Sequence, residues 1–117
     1  MKKNEVVKNS REFDKIIKKG KYVKNSDFVI YYQNNLLDKN RFGISVGKKI
    51  GNAVTRNYYK RVIRNICDKY NFPCSNYKDY IIIIRKRCIE LSFNDINNSF
   101  INLMNKIEKE TNYEKKD

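Results

Sequence analysis

At 117 residues the chain can bury one hydrophobic core but is too short for two domains. Its 26 Lys+Arg against 13 Asp+Glu leave a formal charge of +13 and no histidine, an excess whose self-repulsion points to a polyanionic partner, nucleic acid or an anionic membrane. No apolar run approaches the roughly 20 residues of a membrane span, and Met1-Lys2-Lys3-Asn4-Glu5 has no apolar segment behind its charges, so a cytoplasmic protein is expected.

Asn9 or Ser10 can cap a first helix, with Glu12 placed to complete a capping box from Asn9. Phe13, Ile16 and Ile17 form its apolar stripe, and Gly20 suits a left-handed end. Lys21 to Lys24 reads as a short edge strand. From Asp27 to Gln33 the pattern alternates, with Phe28, Ile30 and Tyr32 on one face and Val29 and Tyr31 on the other. A polar turn, Asn34 to Asn40, precedes a second alternating run from Arg41 to Gly47, with Phe42, Ile44 and Val46 opposite Gly43 and Ser45. These two strands read as a hairpin. A second helix runs from Asn52 or Ala53 to Tyr70, ended by Asn71 and Pro73. Asp79 to Arg85 is apolar on both faces, as a central strand is. Ser92, with Asp95 three residues on, caps a last helix in which Ile96, Phe100, Leu103, Met104 and Ile107 recur at helical spacing. Residues 1–8 and 110–117 read as flexible tails. The element order gives a single α+β sandwich over residues 1–117.

Little here suits protein-borne catalysis. Without histidine the commonest general base at neutral pH is absent. Cys67, Cys74 and Cys88 lack paired spacing and read as small thiols in a reducing compartment rather than zinc ligands. Asp27, Asp38, Asp68, Asp79, Glu90 and Asp95 are scattered singly, so no metal site or catalytic residue is expected on the protein.

The segment RFGISVGKKIGNAVTRNYYKRVIRN, Arg41 to Asn65, carries the chemistry. At about 100° per residue, Arg56, Lys60, Arg64, Asn57 and Arg61 fall within an arc of roughly 140°. Val62, Ile66, Tyr59, Tyr70 and Ile63 fall between roughly 240° and 340°. A solvated face would mix signs, because like charges at i,i+4 cost a few tenths of a kcal/mol per pair; this stripe fits a polyanion. Gly47 and Gly51 leave room for a phosphate around Lys48 and Lys49, and Asn52 presents a helix N-terminus whose free amides favour anions. If Phe28, Ile30, Tyr32, Phe42, Ile44 and Val46 face the core, then Val29, Tyr31, Gly43 and Ser45 form a shallow floor that Phe13 and Ile17 can flank. Unstacked bases of a single strand fit such a groove.

The run ISVGKKIGNAVTRNYYKRVIRN, together with Phe13, the FVIYY strand and the KDYIIIIRK strand, resembles the signature of the bacterial ribonuclease P protein component. The resemblance covers nearly the whole chain. It implies an αβββαβα sandwich with a mixed four-stranded sheet and a left-handed βαβ crossover, like the second domain of a small-subunit ribosomal protein. It also implies that a catalytic RNA subunit, using Mg²⁺, removes the 5′ leader of precursor tRNA, with no cofactor bound tightly by the protein, which acts as a monomer, one per RNA. Matching positions make Lys48, Lys49, Arg56, Asn57, Lys60, Arg61 and Arg64 the RNA-subunit contacts. Phe13, Ile17, Val29, Tyr31 and Ser45 become the leader cleft. The family's Arg-Asn-Arg triplet reads Arg56-Asn57-Tyr58 here, and Ile17 takes a place often aromatic in relatives. The rival reading is a ribosomal or other structural RNA-binding protein using the same basic helix. A protein-catalysed nuclease is disfavoured by the missing histidines, and an RNA recognition motif by the missing strand signature.

Overall fold

In this computed structural model, residues 6, 7, 9–72 and 76–115 are described, with side chains up to residue 110. Pro73 and Cys74 lie outside the described residues, as do residues 1–5, 8 and 116–117. The elements run α1 (Ser10–Lys19), β1 (Lys21–Lys24), β2 (Phe28–Asn34), β3 (Arg41–Ser45), α2 (Ala53–Lys69), β4 (Lys78–Ile84) and α3 (Phe93–Lys115). Short 3₁₀ turns at Lys48–Ile50 and Lys86–Glu90 follow β3 and β4.

The four strands form one mixed sheet in the order β1-β2-β4-β3. β2 is antiparallel to both β1 and β4, whereas β3 runs parallel to β4. The expected β2–β3 hairpin is therefore wrong: β4 lies between them, and the hairpin is β1–β2. Physically, Tyr80, Ile81, Ile82 and Ile84 are all buried, and a strand apolar on both faces needs a neighbour along each edge. Inserting β4 between β2 and β3 supplies both.

Alternation along the strands then splits the interior in two. Phe28, Ile30, Tyr32, Phe42, Tyr80, Ile82 and Ile84 point to one side, where Val62, Ile63 and Ile66 of α2 and Ile96, Phe100, Leu103, Met104 and Ile107 of α3 complete the main core. On the other side Ile81, Tyr31 and Ile83 meet Phe13, Ile16 and Ile17 of α1, with Val7. The molecule is thus three layers, with α1 alone on the second face.

Caps fix the helix starts. Asn9 accepts from the Arg11 amide at 2.8 Å, Asn52 from the Thr55 amide at 2.9 Å, and Ser92 Oγ from the Asp95 amide at 3.2 Å. Two local expectations change. Glu12 turns its carboxylate to Arg41, 2.9 Å away, and Gly20 is extended (φ −75, ψ 160), not left-handed. Gly20 is needed for space: a Cβ there would lie 2.5 Å from the Ile16 carbonyl oxygen and 2.8 Å from that of Tyr32.

Described residues near both ends join the fold. The Val7 amide donates to the Phe42 carbonyl at 2.9 Å, Val6 bridges Phe42 in parallel, and Val7 is buried. α3 continues to Lys115, and the Tyr32 hydroxyl donates to the Glu110 carboxylate.

Candidate nucleic-acid interface

The placement of α1 over the sheet begins with a buried ionic clamp. Arg41 Nε and Nη2 each donate at 2.8 Å to the two oxygens of Asp79, and Arg41 Nη1 reaches Glu12 of α1 at 2.9 Å. Asn35 Nδ2 adds a bond of 2.9 Å to Asp79. Burial pushes the Asp79 carboxyl up, but the Arg41 fork, with Asn35 and Gln33, outweighs it and holds the group below the usual carboxylate range. The same fork raises Arg41 and keeps it charged.

Next to the clamp, Phe13 lies directly on Gly43. A Cβ at Gly43 would be 2.8 Å from Phe13 Cε2 and 2.8 Å from Ile81 Cδ1. Cross-strand register places Tyr31, Ile81 and Gly43 in one row and Val29, Ile83 and Ser45 in the next. In that second row all three residues are half-exposed, as are Phe13, Ile17 and Tyr31. The result is a groove with floor Val29, Ile83 and Ser45 and a wall of Phe13, Ile17 and Tyr31. All five sequence-predicted cleft residues border it. Phe13 and Tyr31 are therefore both packing and surface, each with part of its ring open.

Ser45 leads straight into the basic segment. The Ile50 amide donates to the Gly47 carbonyl at 3.1 Å and Ile50 is buried, which turns Lys48 and Lys49 outward. A Cβ at Gly47 would meet nothing within 4 Å, so the turn is open there. Along α2, Val62, Ile63, Ile66 and Cys67 are buried, whereas Asn57, Arg61 and Arg64 are exposed and Arg56 and Lys60 half-buried. Among the described residues none of Lys48, Lys49, Arg56, Lys60, Arg61 and Arg64 has an ion-pair partner. Arg56 Nε is also buried without a hydrogen-bond partner, an orphan donor that costs free energy until something accepts from it. Tyr58, exposed and edge-on to Tyr59 at 5.1 Å, borders this face.

Sequence reasoning missed several contributors. Ile83 lies on the groove floor but read only as part of a buried strand; its place follows once β4 is central. Val7 backs the groove from a segment read as tail. Lys24, Arg85, Lys86 and Arg87 line an open cavity with Asn25 and Ser26 at the end of the sheet, a cluster that the Arg-Lys-Arg run after the strand could have signalled. Cys67 and Cys88 are buried free thiols. Burial raises Cys67, and burial, then the Asp27 charge, raises Cys88 to about 11. Among the described residues no three His, Cys, Asp or Glu side chains gather as a metal site, and no helix is long and apolar enough to cross a membrane.

Comparison with known proteins agrees with this fold. The sequence profile of the family described as Ribonuclease P matches residues 1–108. A ribonuclease P protein component of Mycoplasma mycoides is 44% identical over 108 residues, covering 92% of this chain and 99% of that protein. One from Bacillus pumilus is 44% identical, covering 91% and 90%. Among solved structures, a Staphylococcus aureus RNase P protein mutant, described as defective in mRNA degradation activity, superposes with a TM-score of 0.81 at 40% identity, covering 92% of this chain and 90% of that one. The Thermotoga maritima RNase P protein gives 0.76 at 31% identity, covering 85% and 94%. By family match, relatives and shared α+β fold, the chain belongs to the ribonuclease P protein family and is a protein component of a ribonucleoprotein endoribonuclease that processes tRNA.

Proposed function

We propose that this protein holds the catalytic RNA of ribonuclease P with one surface and the single-stranded 5′ leader of precursor tRNA with another, while the RNA makes the cut. The observation that carries the reading is the adjacency of two unlike surfaces. Six cations without ion-pair partners among the described residues form the first, and a half-apolar groove beside Ser45 forms the second. The cations Lys48, Lys49, Arg56, Lys60, Arg61 and Arg64, with Asn57, suit phosphates of a folded RNA, where neutralisation releases counterions and gives salt-dependent affinity. The groove of Phe13, Ile17, Val29, Tyr31 and Ser45 suits splayed bases of a single strand.

The protein's work on this reading is binding and orientation. It aligns the leader with the cleavage site held by the RNA and lowers the local negative potential, which favours productive cation binding. Mg²⁺ belongs to the RNA subunit and supplies the activated water and leaving-group stabilisation. The assembly is cytoplasmic, with one protein monomer per RNA. Reconstitution tests all of this: with a catalytic RNA at limiting Mg²⁺, the protein should raise the rate of leader release. Tyr31→Ala should weaken precursor tRNA binding and leave mature tRNA binding nearly unchanged. Equal losses on both would remove the leader from the groove, and robust precursor cleavage by RNA-free protein would remove catalysis from the RNA.

A further inference from the structure

We propose that the leader track does not end at Tyr31 but continues onto the edge strand β1, where Tyr22 stacks one further base and Lys24 meets its phosphate. The proposal rests on reading the groove as the leader site. Alternation in β1 buries Val23 in the main core and sends Tyr22 and Lys24 to the α1 face. Register sets Tyr22 beside Tyr31 and Lys24 beside Val29, so β1 prolongs both rows of the groove by one strand spacing, about 4.8 Å. The Tyr22 and Tyr31 ring centroids are 5.5 Å apart with planes at 44°.

Tyr22 is nonetheless 54% exposed. A large ring left open on an edge strand gains little from burial, and it makes a pairing surface for any other chain. Charge and continuity select RNA as its occupant. Lys24 opens onto the cavity lined by Arg85, Lys86 and Arg87, with Asn25 and Ser26 the remaining lining residues and no carboxylate among them. An aromatic step beside a cationic pocket, continuous with a base-binding groove, is the combination that tracks single strands with little sequence preference.

The test uses the reconstituted holoenzyme and two precursor tRNAs, one with a leader ending within the groove and one with a leader several nucleotides longer. Tyr22→Ala should weaken binding of the long-leader precursor about fivefold, the lower end of what one stacked base contributes, and leave the short-leader precursor unchanged. Tyr22→Phe, which keeps the ring, should restore the difference. Lys24→Ala should lower the salt slope of long-leader binding by about 0.7, one single-strand phosphate. An unchanged long-leader affinity in Tyr22→Ala, while Tyr31→Ala still loses leader-dependent binding, overturns the extension and leaves the groove intact. Loss of leader discrimination in neither variant sinks the groove itself. Equal weakening of short and long leaders by Tyr22→Ala would mean that the ring only props Tyr31. A concentration-dependent dimer abolished by Tyr22→Ala would assign the ring to self-association.

Discussion

Gly43→Ala puts the groove under direct stress. Gly43 does not have positive φ, so alanine fits its backbone, and removing the extra chain freedom of glycine should return roughly 0.5–1 kcal/mol. Against this, the new methyl would sit 2.8 Å from both Phe13 Cε2 and Ile81 Cδ1, about 0.7–1.2 Å inside normal carbon contact. Ile81 is fully buried, which leaves the Phe13 ring, and α1 with it, to move outward. Overpacking of this kind costs about 1–3 kcal/mol, so a net loss of roughly 0.5–2 kcal/mol is expected, a fall in Tm of several degrees for a domain of this size. The displaced ring also narrows the wall facing Val29 and Ser45, so leader-dependent binding should fall more than binding of mature tRNA. Thermal unfolding followed by circular dichroism gives the first number, and precursor against mature tRNA titration of the holoenzyme gives the second. A Phe13→Leu, Gly43→Ala double variant should recover stability relative to the sum of the singles. A Gly43→Ala protein that is more stable than the parent and binds leader normally would refute the Phe13–Gly43 contact as the seat of the groove.

On the cationic face, Arg64→Ala or Lys60→Ala should each weaken RNA-subunit binding and reduce the slope of log affinity against log salt by roughly 0.7–0.9; a parallel shift with the slope intact would argue against phosphate contact. Asp79→Asn leaves Arg41 with only the more exposed Glu12 as counter-charge and should cost about 2 kcal/mol near neutral pH, the scale of lost hydrogen bonds to a charged group. Because the folded Asp79 pKa lies below its ordinary 3.8, its contribution is complete above that value and disappears as pH falls through the folded one. The variant should therefore show a flatter acid limb in urea melts, and equal stability of variant and parent at neutral pH would sink the clamp. In a Cys74→Ser background, Cys67 and Cys88 should alkylate at the rate of global unfolding, since both thiols are buried and Cys88 is raised to about 11; rapid modification of the native protein would contradict that packing.

Much of this was readable in the chain because local chemistry and tertiary packing agree. The phasing of α2 separated Val62, Ile63 and Ile66 from Arg56, Lys60 and Arg64, and the structure keeps that division. The alternation in β2 likewise separated core from groove. Sequence reading failed where the decisive partner is remote. Nothing local says that the loop at 35–40 spans a strand that arrives forty residues later, although the two-faced apolarity of β4 already required neighbours on both edges. Glycine at position 20 has an ordinary φ, and its need comes from two carbonyls, that of Ile16 on α1 and, invisible locally, that of Tyr32 across the hairpin. Val7 was opaque for a related reason, as one of two adjacent valines in a polar stretch that gain meaning only beside Phe42. Tyr22 looked like one aromatic among nine tyrosines until register set it against Tyr31.

The central position of β4 has a consequence for synthesis. β2 and β3 share no pairing with each other, so the sheet cannot become continuous until β4 arrives. At about 5–20 residues per second, the roughly forty residues between Ser45 and Ile84 take about 2–8 s to emerge. During that interval the nascent chain carries the apolar strand β3 and the basic helix α2 with no β4 between the halves of the sheet. A chain released before Ile84 has half a sheet on either side of a missing centre, which makes completion of this protein closer to all-or-none than its short length suggests.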